Sequence, residues 1–84
     1  MKYNIIFRKR AKRKLQSIPE KDREKIFETI KNLENNPFPK GYKKLKGRDG
    51  YRVRKGNYRI IYEVNKQEIT ILILAVGDRK NIYK

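Results

Sequence analysis

Three arginines flank a predicted tight turn in the C-terminal part of the chain. Arg52 and Arg54 precede the pair Gly56–Asn57, and Arg59 follows it. A Gly-Asn pair between two alternating segments is typical of a two-residue β-hairpin turn. With that turn, Arg54 lies opposite Arg59, and Arg52, Arg54 and Arg59 form one face of the hairpin, the arginine face. Because a guanidinium group is a planar fork that matches phosphate, this face is predicted to bind phosphate groups.

The Arg54–Arg59 pair itself favours a functional interpretation. Like charges directly opposite each other on neighbouring strands destabilise a sheet, and such conflicts with folding rules are typical of functional sites. The alternative is that these charges are solvated and protect a sheet edge from aggregation. That protection more often uses scattered lysines than three converging arginines, so we favour phosphate binding.

A face that holds RNA phosphates has part of the chemistry needed to cleave RNA. The ribose 2′-hydroxyl can attack the adjacent phosphodiester if it is held in line, the crowded phosphate is stabilised and protons are transferred. The chain contains no His and no Cys, which removes imidazole as the acid–base group and excludes thiolate metal sites and disulfides. We expect no metal and no cofactor. The proton carrier is then a Lys, a Tyr, a carboxylate or an Arg held unusually.

The net charge points to a polyanionic partner. Twenty-four Lys and Arg residues against nine Asp and Glu give a formal charge of +15 in 84 residues. Thermal adaptation also enriches Lys, but normally together with Glu. Nucleic acid is favoured over a membrane, because no long amphipathic basic helix is present. No apolar run is long enough to span a bilayer and no signal peptide is recognised, so we expect a cytoplasmic location.

The elements that position the arginines follow from the spacing of apolar residues. Ser17 and Glu20 have capping-box spacing, which predicts that a helix begins between them. The predicted elements are a strand at 2–7, helices at 8–17 and from Glu20 to before Asn35, and strands at 51–55, 58–64 and 68–76. This βααβββ order predicts a single α+β domain, residues 1–84, with a helical hairpin packed on a mainly antiparallel sheet.

The length of the turn before the predicted strand at 68–76 decides which side chains of that strand point to the arginine face. A three-residue turn at 65–67 pairs Val64 with Glu68 and directs alternate side chains to the arginine face, whereas a two-residue turn reverses the assignment. With the three-residue turn, the residues on that face are Ile71, Ile73, Ala75 and, by continued alternation, Arg79. Tyr83, near the end of the chain, is either a tail residue or a stacking platform for a base.

Five short motifs occur in order along the chain. They are Leu45–Lys46–Gly47, Tyr51–Arg52–Val53–Arg54, Gly56–Asn57–Tyr58–Arg59–Ile60–Ile61–Tyr62, Val76–Gly77–Asp78–Arg79, and Tyr83. Together with the element order they resemble the RelE toxins of the RelE/ParE family of toxin–antitoxin systems over nearly the whole chain. The resemblance implies a RelE/ParE-like fold and a toxin that enters the ribosomal A site. It also implies cleavage of the translated messenger RNA through the messenger's own 2′-hydroxyl, without a metal, and a co-encoded RelB-like antitoxin that binds the toxin in a hetero-oligomer.

The resemblance also implies roles for individual residues. Arg59 matches the arginine that stabilises the scissile phosphate, and Arg79 the one that protonates the leaving group or stabilises its charge. Tyr83 matches the tyrosine that stacks on or orients the substrate base. Arg52 and Arg54 stand where the best-known enzymes have two lysines, one of them a proposed base. Because Arg is effectively always protonated, Arg at these positions is a poor base.

Three routes for the proton therefore remain open. Arg54 acts only electrostatically, or a lysine such as Lys44 or Lys46 takes the proton, or ribosomal RNA assists. We expect the cations around the predicted site to contact RNA, namely Lys44, Lys46, Lys55 and Lys80. Two other functions remain as alternatives, a ParE-like inhibitor of DNA gyrase and a non-catalytic RNA-binding module.

Overall fold

The computed structural model describes residues 2–78. The elements in this range are β1 (Asn4–Phe7), α1 (Lys9–Ser17), α2 (Glu20–Asn32), β2 (Lys43–Lys44), β3 (Tyr51–Lys55), β4 (Tyr58–Asn65) and β5 (Thr70–Asp78). The five strands form one sheet in the order β1-β5-β4-β3-β2, in which only the β1–β5 pair is parallel. The predicted α+β class and mainly antiparallel sheet are confirmed.

A proline separates the two helices. Pro19 favours an extended conformation for the residue before it, and Ile18 accordingly leaves the helix with φ −78° and ψ 141°. The predicted capping box is wrong, because Ser17 belongs to the end of α1 and its Oγ donates a hydrogen bond to the Lys14 carbonyl at 2.7 Å. Pro19 itself precedes the first turn of α2 and provides no side-chain cap. None of the helices within residues 2–78 is long and apolar enough to cross a membrane.

The core lies between the helical hairpin and one face of the sheet. Ala11 and Leu15 of α1 and Ile26 and Ile30 of α2 are buried, as their helical spacing predicts. They pack in one cluster with the sheet residues Val53, Ile60, Tyr62, Ile71, Ile73 and Val76. The sheet therefore has a core face and an opposite face that the helices leave uncovered.

The turn between β4 and β5 differs from the prediction. Asn65 pairs with Thr70, so four residues separate the paired positions, and Val64 lies opposite Ile71 rather than Glu68. Ile71 and Ile73 consequently lie on the core face, fully buried, and their predicted place on the arginine face is wrong. The Asn65 side chain accepts a hydrogen bond from the Glu68 backbone N–H at 2.9 Å, which closes the longer turn.

Candidate nucleic-acid interface

The predicted register of the β3–β4 hairpin is confirmed. Arg54 lies opposite Arg59, and Arg52 lies opposite Ile61. Because side chains alternate along a strand, Arg52, Arg54 and Arg59 share one face of the sheet. The residues between them form part of the core face, where Val53, Ile60 and Tyr62 are buried and Tyr51 and Tyr58 pack against the core. The arginine face is thus the sheet surface that the helices leave uncovered.

The arginine face has an apolar floor. Ile61 points to this face and is only 3% exposed. Register places Arg52 directly opposite Ile61, and Arg59 precedes it by two residues on the same strand. Arg52 and Arg59 are half-buried, and their Nε atoms are inaccessible to solvent. The aliphatic parts of these two arginines can thus lie over Ile61, which restricts the positions of their guanidinium groups.

A bulge in β5 brings small residues to the arginine face. Ile73 pairs with Tyr62 and Ala75 pairs with Ile61, so Leu74 is the extra residue of a β-bulge. After the bulge, Ala75 lies on the arginine face as predicted, and Gly77 lies opposite Arg59. Gly77 presents no side chain beside Arg59. Gly77 is itself buried, so the bulge places backbone rather than a side chain beside Arg59.

The like-charge pair on this face should reduce stability. Because Arg54 is exposed and directly opposite Arg59, Arg54→Thr should raise the free energy of unfolding by about 0.2–1 kcal/mol. Urea unfolding at low ionic strength measures this change. Lys55→Thr, at the neighbouring exposed position of the same strand, is the matched control and should give a smaller gain. An unchanged or lower stability for Arg54→Thr would show that the pair carries no net repulsion.

An aromatic cluster holds the loop that carries the lysines. The Tyr62 hydroxyl donates a hydrogen bond to the Pro37 carbonyl at 2.6 Å and is fully buried. The rings of Phe38, Tyr42 and Tyr51 then pack edge-on or tilted, with centroids between 5.1 and 5.9 Å apart. Tyr51 also packs against Tyr62 at 5.8 Å. Burial raises the pKa of Tyr62, with smaller contributions from Tyr42 and Tyr51.

A second tyrosine ties the hairpin to the helices. The Tyr58 hydroxyl donates a hydrogen bond to Asp22 Oδ2 of α2 at 3.1 Å. The pKa of Tyr58 is raised by desolvation, by this hydrogen bond and by the negative charges of Asp22 and Asp78. Tyr58 therefore remains a protonated donor at neutral pH. The bond fixes the Gly56–Asn57 end of the hairpin against α2.

The lysine that register places beside Arg52 is Lys43, which sequence reasoning did not single out. Lys43 lies opposite Arg52, whereas Lys44 lies opposite Tyr51. Lys55 lies opposite Tyr58 and thus points away from the arginine face. Glu63 is a carboxylate on the same face as Arg59 and Ile61, by alternation along β4. Only the two-residue strand β2 reveals the position of Lys43, and its sequence has no alternating pattern.

Three of the predicted site residues lie outside the described residues. They are Arg79, Lys80 and Tyr83. The structure therefore brings together Arg52, Arg54 and Arg59 on one face, and places Lys44 and Lys46 around a cavity that Arg52 also lines.

Comparison with known proteins matches this fold and this sequence to one family. The model of the ParE toxins of type II toxin–antitoxin systems (parDE) matches residues 5–83. RelE1 of Methanocaldococcus jannaschii is 38% identical over 88 residues, covering 100% of this chain and 98% of that protein. Toxin RelE3 of the same organism is 37% identical and covers 94% of this chain and 93% of that protein.

A solved structure shows the same architecture. The crystal structure of the archaeal RelE–RelB complex from Pyrococcus horikoshii OT3 superposes with a TM-score of 0.84 at 34% sequence identity. The superposition covers 96% of this chain and 99% of that chain. Family model, full-length relatives and fold agree: the chain belongs to the RelE/ParE family and is a RelE-type toxin of a toxin–antitoxin system.

Proposed function

We propose that this toxin is a ribosome-dependent, metal-independent endoribonuclease that cleaves messenger RNA and so inhibits translation. The observation that carries the proposal is that Arg52, Arg54 and Arg59 share one face of the sheet, where Arg52 and Arg59 are half-buried. Cations held in a partly desolvated site stabilise developing phosphate charge more strongly than mobile surface cations. The domain proposed to carry this activity spans residues 1–84.

Each arginine has a distinct position in the proposed reaction. Arg59, beside the side-chain-free Gly77, binds the scissile phosphate and stabilises the charge that builds on it when the 2′-hydroxyl attacks. Arg52 and Arg54 add positive charge from the neighbouring strand and position the RNA backbone. Arg79 and Tyr83 complete the proposed site by assisting the leaving group and orienting the base.

The proton of the 2′-hydroxyl requires an acceptor other than arginine. To the three routes open from the sequence, we add one group of this chain as a candidate acceptor. The carboxylate of Glu63 lies on the arginine face beyond Ile61. None of these routes needs a metal or a cofactor.

The proposed partner is an antitoxin. Relatives with this fold have been solved as RelE–RelB complexes, so we propose that a RelB-like antitoxin binds this chain in a hetero-oligomer. The ribosome and its messenger are the proposed targets of the free toxin.

The match to the ParE model supports a second function. A ParE-like toxin would bind DNA gyrase and would not need a face that stabilises phosphate. The identity of 38% to RelE1 and the three arginines favour the nuclease.

One experiment separates these functions. The purified toxin is added to ribosomes translating a defined messenger, the messenger's 5′ ends are mapped, and gyrase supercoiling is assayed in parallel. We expect cleavage within the translated codons and unaffected supercoiling. Arg79→Ala should abolish cleavage while the circular dichroism spectrum stays the same. Intact messenger with blocked supercoiling would establish the gyrase inhibitor instead, and RNA binding without cleavage would establish a non-catalytic module.

A further inference from the structure

A second cationic surface adjoins the arginine face. A cavity of about 400 Å³ is lined by Lys43, Lys44, Leu45, Lys46, Arg48 and Arg52. Among the described residues that line it, five of six are cations and none is Asp or Glu. We name this cavity the cationic pocket. Because Arg52 belongs both to its lining and to the arginine face, the pocket extends that face towards the edge of the sheet.

The loop between β2 and β3 builds the pocket. The Leu45 backbone N–H donates a hydrogen bond to the Gly50 carbonyl at 3.0 Å, which closes the loop of residues 46–49 between β2 and β3. Gly50 has a φ of +124°, and a Cβ there would lie 3.2 Å from both the Leu45 side chain and the Tyr62 carbonyl. The backbone at Gly50 thus accommodates only glycine without strain. The close approach fixes the position of the loop that carries Lys46 and Arg48.

The charge arrangement of the pocket repeats that of the arginine face. Lys43 lies directly opposite Arg52, the second like-charge pair across strands of this sheet after Arg54–Arg59. Such pairs are destabilising in the absence of a ligand. An anion with several acceptor oxygens offsets the repulsion and can accept charge-assisted hydrogen bonds from more than one cation. The pocket is thus suited to a phosphate group.

The pocket and the phosphate site proposed at Arg59 are centred on different strands. Lys43 and Arg59 lie on strands that are separated by β3, a distance of about 10 Å between their backbones. A polynucleotide strand, which carries one phosphate per nucleotide, can reach both. We propose that the cationic pocket is a second phosphate subsite, which binds the RNA backbone to one side of the phosphate held at the arginine face. This inference rests on the proposed function.

The subsite predicts a dependence on RNA length. A dinucleotide has a single phosphate and can fill only one site. We expect it to bind at the arginine face, so its binding should not depend on Lys43 or Arg48. A longer single strand should bind both sites. The test uses a 12-nucleotide RNA and a dinucleotide, both 2′-O-methylated so that they cannot be cleaved, and the exposed-residue variant Lys43→Gln/Arg48→Gln.

Salt dependence gives the quantitative readout. The logarithm of the binding constant falls linearly with the logarithm of the salt concentration. For a single strand, about six phosphate contacts would give the wild type a slope near −4, and the loss of two contacts in the variant should make that slope less negative by about 1.4. Between 50 and 200 mM salt, wild-type affinity for the 12-nucleotide RNA should therefore fall about sevenfold more than that of the variant. Dinucleotide affinity, measured by NMR titration, should be unchanged.

The matched control is Lys21→Gln/Lys25→Gln, which removes two exposed positive charges from α2 in the opposite layer. If the pocket variant has the same slope as this control, the second subsite is overturned while the proposed function stands. If wild-type affinity for the long RNA is independent of salt, the phosphate-binding function fails together with the subsite. Cleavage in translating ribosomes is scored separately, so the two failures are distinguishable.

Discussion

Arg59→Ala is expected to lower the rate of messenger cleavage by about 10²–10³-fold without unfolding the protein. Arg59 is half-buried on the uncovered face of the sheet, opposite both Arg54 and Gly77 on its neighbouring strands. Removing one preorganised donor to a developing oxyanion has an effect of this size in other enzymes. Single-turnover cleavage of messenger by a saturating amount of toxin on programmed ribosomes measures the chemical step.

Two further variants test the cause of the loss. Arg59→Lys keeps the positive charge but replaces the planar fork, so we expect it to recover only part of the lost rate. Arg13→Ala removes one exposed arginine from α1, on the other layer, and should leave the rate within about twofold. Equal losses in Arg59→Ala and Arg13→Ala would mean that net charge, not the arginine face, governs cleavage. Full activity of Arg59→Ala would contradict its role at the phosphate.

Part of the site was predictable because a local turn fixes it. The pair Gly56–Asn57 sets the register of β3 and β4, and alternation then places Arg52, Arg54 and Arg59 on one face. These arginines are close in sequence, so no long-range contact is needed to align them. The α+β architecture followed in the same way from the order of periodic segments.

The face of β5 was not predictable, because its register depends on an irregular turn and a bulge. Ile69 adopts a φ of 54°, a conformation that is rare for a β-branched residue and has no local sequence signal. The bulge at Leu74 then reverses the alternation within the strand. Ile71 and Ile73 consequently lie on the core face, while Ala75 and Gly77 lie on the arginine face, beside Ile61 and Arg59.

The position of Lys43 depends on tertiary contacts. It lies in a short edge strand within a loop rich in Pro, Gly and Lys, where no periodic pattern exists to indicate register. The loop is positioned by the bond from Tyr62 to Pro37, which are 25 residues apart, and by the packing of Phe38 and Tyr51. A sequence shows that these aromatic residues are present but not that their rings meet.

Tyr62 should therefore support both the stability of the fold and the lysine-bearing loop. Tyr62→Phe keeps the ring but removes the hydroxyl that donates to the Pro37 carbonyl. That buried carbonyl then loses this hydrogen bond. We expect the free energy of unfolding at pH 7 to fall by about 1–2 kcal/mol. Tyr42→Phe is the control within the same cluster, because Tyr42 is 39% exposed and its change should be much smaller.

The difference between wild type and Tyr62→Phe should shrink in alkaline solution. The folded protein holds the neutral phenol, since burial raises the pKa of Tyr62, whereas the unfolded chain ionises near pH 10. Because the pKa of Tyr62 is higher in the folded protein, the stability that the neutral phenol contributes is complete below pH 10 and is lost as pH rises towards the folded pKa. Between pH 9 and 11 wild type should lose about 1.4 kcal/mol relative to the variant. Lysine deprotonation affects both proteins equally, so urea unfolding of the pair isolates Tyr62. A difference that stays constant from pH 7 to 11 would show that the fold does not hold this hydroxyl protonated.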